Sequence, residues 1–484
     1  MKFFVRAKCA VGRILPRSSF GRSVSVLVGG TAFAQALVVL ASPLLTRLYS
    51  PADFGLLAIH TALLSTIAVA ASLRYELAIP LPENDKDAAS VAVLSLIVLT
   101  GISLLVATIL WVWGRQLAGL LNTPQIYTYF WLLPTGLFFS GIYQVLTNWA
   151  VRTSQFSAIA KTKLGQSVAQ VGVQLGGHLL GPFALLLGQV VGQAAGNSTL
   201  AALAIRRRWP LFRSVSWQDV RAAGVRWRRF PLFDTCAGLT NAAGVQLPSI
   251  LFAALFTPAA AGVYLLANRV LGMPMLLVGQ AIAQVFFSRS AEAKRKGQLA
   301  PLVAGIHRDL AYFAMPPTLL LAFIAPDLFS IIFGKDWRQA GEFAQWMAPW
   351  LYFVFITSPL SQLFSVLEKQ VHSLVFQLML LATRMCALFL GAKTGDLIFT
   401  VAIYSIGSAV CWIGFLWWVI RASGNSHATL ILPTLGAFFS SLALVSPMAL
   451  YFAYGHGMLY WCAALILSCI LILSRYLVIF KKYR

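Results

Sequence analysis

The chain has 484 residues, 59% of them hydrophobic and only 11% charged, with a mean hydropathy of +0.78. That balance excludes an ordinary soluble domain, and repeated apolar runs of about 20 residues exclude a membrane β-barrel, whose strands alternate over about 10. A net charge of +23 would point to nucleic acid in a soluble protein, but here the basic residues orient membrane helices, and no nucleic-acid partner is expected.

Taken in order, the expected spans are 24–47, 54–80, 88–113, 126–151, 164–180, 182–205, 230–256, 259–288, 310–333, 343–367, 371–392, 397–420, 430–454 and 459–480. The fold class is therefore an all-α integral membrane protein of about 14 helices. The fifth span is short and rich in Gln and Gly, which leaves 12 or 13 open. The basic segment 1–23 carries no cleavable signal pattern, so the first span reads as a retained helix. With the N-terminus in the cytosol, 30 Lys and Arg fall on the cytosolic side and five on the other, namely Arg47, Arg115, Lys335, Arg338 and Lys393. Arg269 and Arg384, inside spans, complete the 37. That asymmetry predicts both termini in the cytosol of a bacterial inner membrane.

Residues 206–229 hold eight Arg and one Asp and read as a cytosolic linker between a six-helix bundle at 24–205 and a second at 230–420. Residues 421–484 follow as two accessory helices and a basic C-terminus. The linker's Trp209, Phe212, Trp217 and Trp227 suit a headgroup layer, so anionic lipids are expected partners. A second basic loop is expected at 289–308 and reads the same way.

Two echoes mark the bundles as a duplication. Leu48-Tyr-Ser-Pro-Ala-x-x-Gly55 returns as Leu255-Phe-Thr-Pro-Ala-x-x-Gly262, 207 residues later, and Trp131-Leu-Leu-Pro134 returns as Trp346-Met-Ala-Pro349. Six spans per half give both halves one orientation, so their pseudo-twofold axis runs along the membrane normal.

Function must come from polar residues inside the spans, because no phosphate loop, HExxH or GxSxG is present and the outer loops are too short to house an active site. Arg269 lies ten residues past Ala259, roughly midway through a 30 Å hydrocarbon core. Charges at that depth line wet cavities or bundle interiors. Asn268 stands beside it; Arg384 is at mid-depth of the eleventh span; Asp234 enters the seventh, with Asn241 two turns on. These charges either pair with one another, Asp234 with one of the arginines, or face a central cavity. In the cavity reading the arginines bind an anionic head group, since a guanidinium fork suits a diphosphate. Gln166, Gln170, Gln174 and His178 recur every four residues in span five, as do Gln189, Gln193 and Asn197 in span six, beside Gly188, Gly192 and Gly196. One-faced amide stripes line a hydrated passage or bond helices together; the sequence leaves both open. The six His lack ligand spacing, so no metal site is expected, and the six Cys read as buried apolar residues.

Five stretches carry a resemblance: TRLYSPADFGLLAI (46–59), RYELAIPLPENDKDA (74–88), RFPLFDTCAGLTNAAGVQLPSILFAALF (229–256), AGVYLLANRVLGMPMLLVGQAIAQVF (261–286) and WRQAGEFAQWMAPWLYFVFITSPLSQ (337–362). In these the chain resembles the Wzx-type O-antigen and polysaccharide-repeat flippases of the multidrug/oligosaccharidyl-lipid/polysaccharide exporter superfamily. The resemblance implies two helical bundles in a V, opening alternately to either side. It implies as substrate an oligosaccharide on undecaprenyl diphosphate, and polysaccharide polymerase machinery as a partner. It favours Arg269 as a cavity cation, while Arg384 has no motif behind it. No cofactor is implied; a coupling ion or the membrane potential would supply the driving force. Two extra spans keep the fourteen-span lipid II flippases in view, and a membrane polymerase or ligase is the alternative from another class.

Overall fold

The computed structural model describes residues 19–274, 279–367, 369–454 and 457–482. The basic segment 1–18, with Cys9, and residues 275–278 of the expected eighth span lie outside them. Helices and turns make up the described residues, with no strand among them. In hydrocarbon each backbone N–H and C=O must be bonded within the protein, and a helix does this locally. Among the described residues nine helices have the length and hydropathy to cross a membrane, and the protein is a multi-pass membrane protein. The chain divides into two compact units, Arg17–Leu266 and Ala267–Arg484.

The first unit holds α1 (Ser19–Leu48), α2 (Pro51–Ala68), α3 (Asp85–Leu120), α4 (Leu132–Arg152), α5 (Phe156–Gly176), α6 (Pro182–Arg213), α7 (Trp217–Arg226), α8 (Thr235–Leu255) and the start of α9 (Pro258–Pro274). Helix α5 packs on α1 and α6, α4 on α3 and α6, and α2 on α8. Helices in lipid associate through close packing rather than exclusion of water, so small residues set the approaches. A Cβ at Gly30 of α1 would stand 2.8 Å from that of Ala160 on α5. Helix α3 turns the opposite kind of surface outward, with Leu104 and Trp111 exposed.

The duplication extends to cap geometry. Ser50 Oγ accepts from the Asp53 N–H at 3.2 Å, and the Asp53 carboxylate accepts from the Ser50 N–H at 2.9 Å, a reciprocal box that starts α2. The Thr257 hydroxyl likewise accepts from the Ala260 N–H at 3.2 Å at the start of α9. Alanine at 260 leaves only half of the box.

Two expected features differ. The second span stops at Ala68 instead of reaching residue 80. Leu73 and Arg74 take φ of 48° and 63°, and a 3₁₀ turn, Tyr75–Ala78, follows. The run is apolar because it is buried against α3 and α4 near Ile79 and Trp149, not because it is helical. The linker 206–229 is also mostly helix: α6 continues to Arg213, and α7 begins on a Ser216–Asp219 capping box. Its aromatic residues split. Phe212 packs on Trp149 with centroids 4.9 Å apart and Trp227 on Phe230 at 6.0 Å, while Trp209 and Trp217 are exposed.

The second unit holds the rest of α9 and α10 (Gln280–Arg295), α11 (Leu299–Phe333), α12 (Arg338–Thr357), α13 (Gln370–Thr394), α14 (Leu397–Ala422), α15 (Ala428–Tyr454) and α16 (Met458–Lys482). Helix α11 packs on α12 and α15, and α14 on α12 and α13. The expected basic loop 289–308 is instead the end of α10 and the start of α11, joined at 296–298. Of the cysteines, Cys236 and Cys386 are exposed rather than buried, and the five described are free thiols.

Helix α16 docks where α11 is imperfect. Pro317 has no N–H to give the Phe313 carbonyl, and the Tyr476 hydroxyl donates to that oxygen at 2.6 Å. Beside it Arg475 lies over the Tyr312 ring at 5.3 Å and donates to Ser440 at 3.1 Å. Tyr476→Phe is expected to cost about 1 kcal/mol. Thermal unfolding of the purified protein in micelles measures it. Leu477→Ala serves as the control and is expected to cost less, since Leu477 is exposed.

Candidate functional site

In the first unit the amide stripes meet glycines. Gln174, Gln170 and Gln166 of α5 lie against Gly188, Gly192 and Gly196 of α6, one to one and antiparallel. Cβ atoms at those glycines would stand 2.5 Å from Gln174 Cγ, 2.9 Å from Gln170 Cβ and 2.7 Å from Gln166 Nε2. Gln170 donates to Gln189 Oε1 at 3.1 Å and Gln174 to the Leu185 carbonyl at 2.9 Å. Asn197 donates to the Phe139 carbonyl on α4 at 2.9 Å. Gln166 and Gln174 are buried, Gln193 is half-buried and His178 is exposed. Of the two readings left open, this is the geometry of interhelical bonding: an absent Cβ lets an amide side chain lie across the partner's backbone. At the start of α8, Asp234 closes a π-helical turn, Phe230–Asp234, and both it and Asn241 are exposed.

In the second unit Arg269 is half-buried and Asn268 exposed. Arg384 on α13 has definite partners. Its guanidinium lies over the rings of Trp350 at 5.1 Å and Tyr404 at 5.6 Å, and Nε donates to Ser408 at 3.3 Å. Those side chains come from α12 and α14, so Arg384 ties three helices together through ring faces.

A second group of charges has no assigned role in the sequence, although the stretch 74–88 is prominent there. Arg152, at the end of α4, donates to the carbonyls of Pro80, Pro82 and Glu83 at 3.4, 2.6 and 3.2 Å, and to Asp85 at 3.0 Å. Lys86 pairs with Asp219 at 3.0 Å and the Tyr75 hydroxyl donates to the Gly224 carbonyl at 3.3 Å, which fastens α7 to the same turn. Glu76 is 2% exposed and bonded to the Ser72 hydroxyl. Arg74 has its Nε buried without a hydrogen-bond partner, and its guanidinium occupies the space a Cβ at Gly238 would fill, 2.5 Å from Nη2. The signal for this group is charge inside an apolar run.

Burial holds the Glu76 carboxyl above its ordinary value, against the Ser72 bond and the Arg74 charge. A raised value means the folded state favours the protonated form, so this group's contribution is present below the unfolded value near 4.5 and is lost as pH rises through the folded one. Glu76→Gln is expected to flatten the pH dependence of stability above about pH 4.5. Thermal unfolding at stepped pH is the check; an unchanged slope would exclude a buried titration at this position.

These features define a class. The fold is an all-helical one shared with solved lipid-flippase and drug-transporter structures. It is similar to a lipid II flippase, MurJ, in an inward closed conformation, with a TM-score of 0.72 at 10% identity over 94% of this chain and 99% of that one. It is also similar to an inward-facing multidrug-resistance MATE transporter (TM-score 0.65, 15% identity, 81% and 96% coverage). A mutant form of the Vibrio cholerae MATE transporter VcmN gives a TM-score of 0.53 at 14% identity, over 88% and 99%. Residues 44–342 match the polysaccharide biosynthesis protein family, and the chain belongs to it. No curated protein matches.

Proposed function

We propose that the protein is a flippase that carries an oligosaccharide linked to undecaprenyl diphosphate from the cytosolic to the periplasmic leaflet of a bacterial inner membrane, for surface polysaccharide such as O-antigen, capsule or exopolysaccharide. The observation that carries this reading is Arg269: a half-buried cation on α9, ten residues past Ala259 in the expected eighth span, in a chain of the polysaccharide biosynthesis family. A guanidinium there offers paired donors to a diphosphate, and no covalent step is needed. Alternating access shields the sugars while the polyprenyl tail stays in lipid. The charge asymmetry supports cytosolic termini. An inside-negative potential favours outward movement of an anionic head group by about 2.3 kcal/mol per charge per 100 mV, so the membrane potential or a coupling ion supplies the driving force. The exposed Trp209 and Trp217, flanked by arginines, support contact with anionic headgroups.

The MurJ likeness keeps lipid II as a second reading. Deleting the gene in its host and identifying the lipid-linked intermediate that accumulates decides between them. A polyprenyl-diphosphate oligosaccharide supports the first reading; a peptidoglycan precursor replaces it with the second.

A further inference from the structure

Gly55 on α2 and Gly262 on α9 are the glycines of the repeated motif, and each packs on the proline of the other copy. A Cβ at Gly55 would lie 1.9 Å from the Pro258 carbonyl oxygen. One at Gly262 would lie 2.1 Å from the Pro51 carbonyl oxygen and 2.7 Å from the Gly55 nitrogen. The contact is reciprocal, as a twofold axis through it requires. It joins backbone to backbone, so no flexible side chain can yield. Ala58, Ala62, Ala260 and Ala261 around it are at most 1% exposed. At the same end Asn122, with φ 50°, donates to the Phe256 carbonyl at 3.1 Å, tying the turn after α3 to the second residue of the second motif. All these residues belong to the first compact unit.

The motif opens α2 and α9 at the membrane face opposite the arginine-rich 206–229, which is the outer face in the orientation proposed above. We propose that the Gly55–Gly262 crossing is the outer closure of the transport path, a steric seal made by the two copies of one duplicated motif. It rests on the flippase reading. The seal exists because two Cβ atoms are missing, and a single methyl at either position forces α2 and α9 apart.

The test places Ala261→Cys in a full-length chain whose native cysteines are replaced, and labels intact cells from outside with a membrane-impermeant maleimide. Ala261 is fully buried, so the reporter is expected to label weakly. Adding Gly55→Ala or Gly262→Ala is expected to raise labelling at least fivefold. Gly165→Ala, which faces open space, is expected to leave it unchanged. No increase in either variant at native abundance overturns the closure. If neither variant accumulates, Asn122→Ala serves: a roughly twofold rise supports the closure and no rise counts against it. Translocation is measured separately in the chain with both glycines intact; if that chain moves no lipid-linked saccharide, the flippase reading falls while the labelling result still judges the seal.

Discussion

Arg269→Ala is expected to reduce surface polysaccharide at least tenfold while the protein still inserts, with the lipid-linked precursor retained in the cytosolic leaflet. Hydrogen bonds to charged groups contribute about 1.5–3 kcal/mol, and each 1.4 kcal/mol is tenfold in an equilibrium. If Arg269 holds the diphosphate as proposed, loss of its guanidinium therefore costs about one to two orders of magnitude of occupancy. Arg269→Lys keeps the charge but not the fork, so an intermediate loss is expected. Quantified surface polysaccharide and the sidedness of labelled precursor are the two readouts. Normal export by the alanine variant would remove Arg269 from the mechanism. Arg384 offers a contrast within the same unit. With Trp350, Tyr404 and Ser408 around its guanidinium, its alanine variant is expected to show lost thermal stability before any change in sidedness.

The largest stability effect is expected at Arg152. Its side chain is 11% exposed and its guanidinium meets three carbonyls and the Asp85 carboxylate. Arg152→Ala leaves the Pro80, Pro82 and Glu83 carbonyls without this donor. A loss of about 3 kcal/mol is expected from unsatisfied acceptors near a charge. In thermal unfolding of the purified protein the midpoint should fall by several degrees. Proteolysis should then open first between residues 69 and 84, because that turn has lost its clamp. Arg152→Lys restores one donor group and should recover only part of the loss. A midpoint unchanged in the alanine variant would mean that the turn holds itself.

How much of the fold is legible in the sequence follows the physics of the bilayer. Long apolar runs mark helices, because a backbone in hydrocarbon has few other ways to bond itself. Ser50 and Thr257 are recognisable as equivalent because a cap is a local arrangement. The run 69–80 misleads because apolar composition marks burial in a turn as readily as in a helix; only the positive φ of Leu73 and Arg74 separates the two. Basic residues likewise mark 206–229 and 289–308 as facing water, yet both are largely helical, since charge on a helix end is compatible with exposure.

The sequence alone determined a helical membrane protein with a duplicated plan, a mid-depth arginine in one copy where the other has Ala62, and the family to which it is related. Tertiary structure decided what each polar residue touches. Gln170 meets Gly192, Arg384 meets two aromatic rings, Glu76 turns inward, and Gly55 meets Pro258. Hydropathy fixes how deep a residue lies along a helix but not which neighbour its face meets, and that pairing depends on helices far apart in the chain.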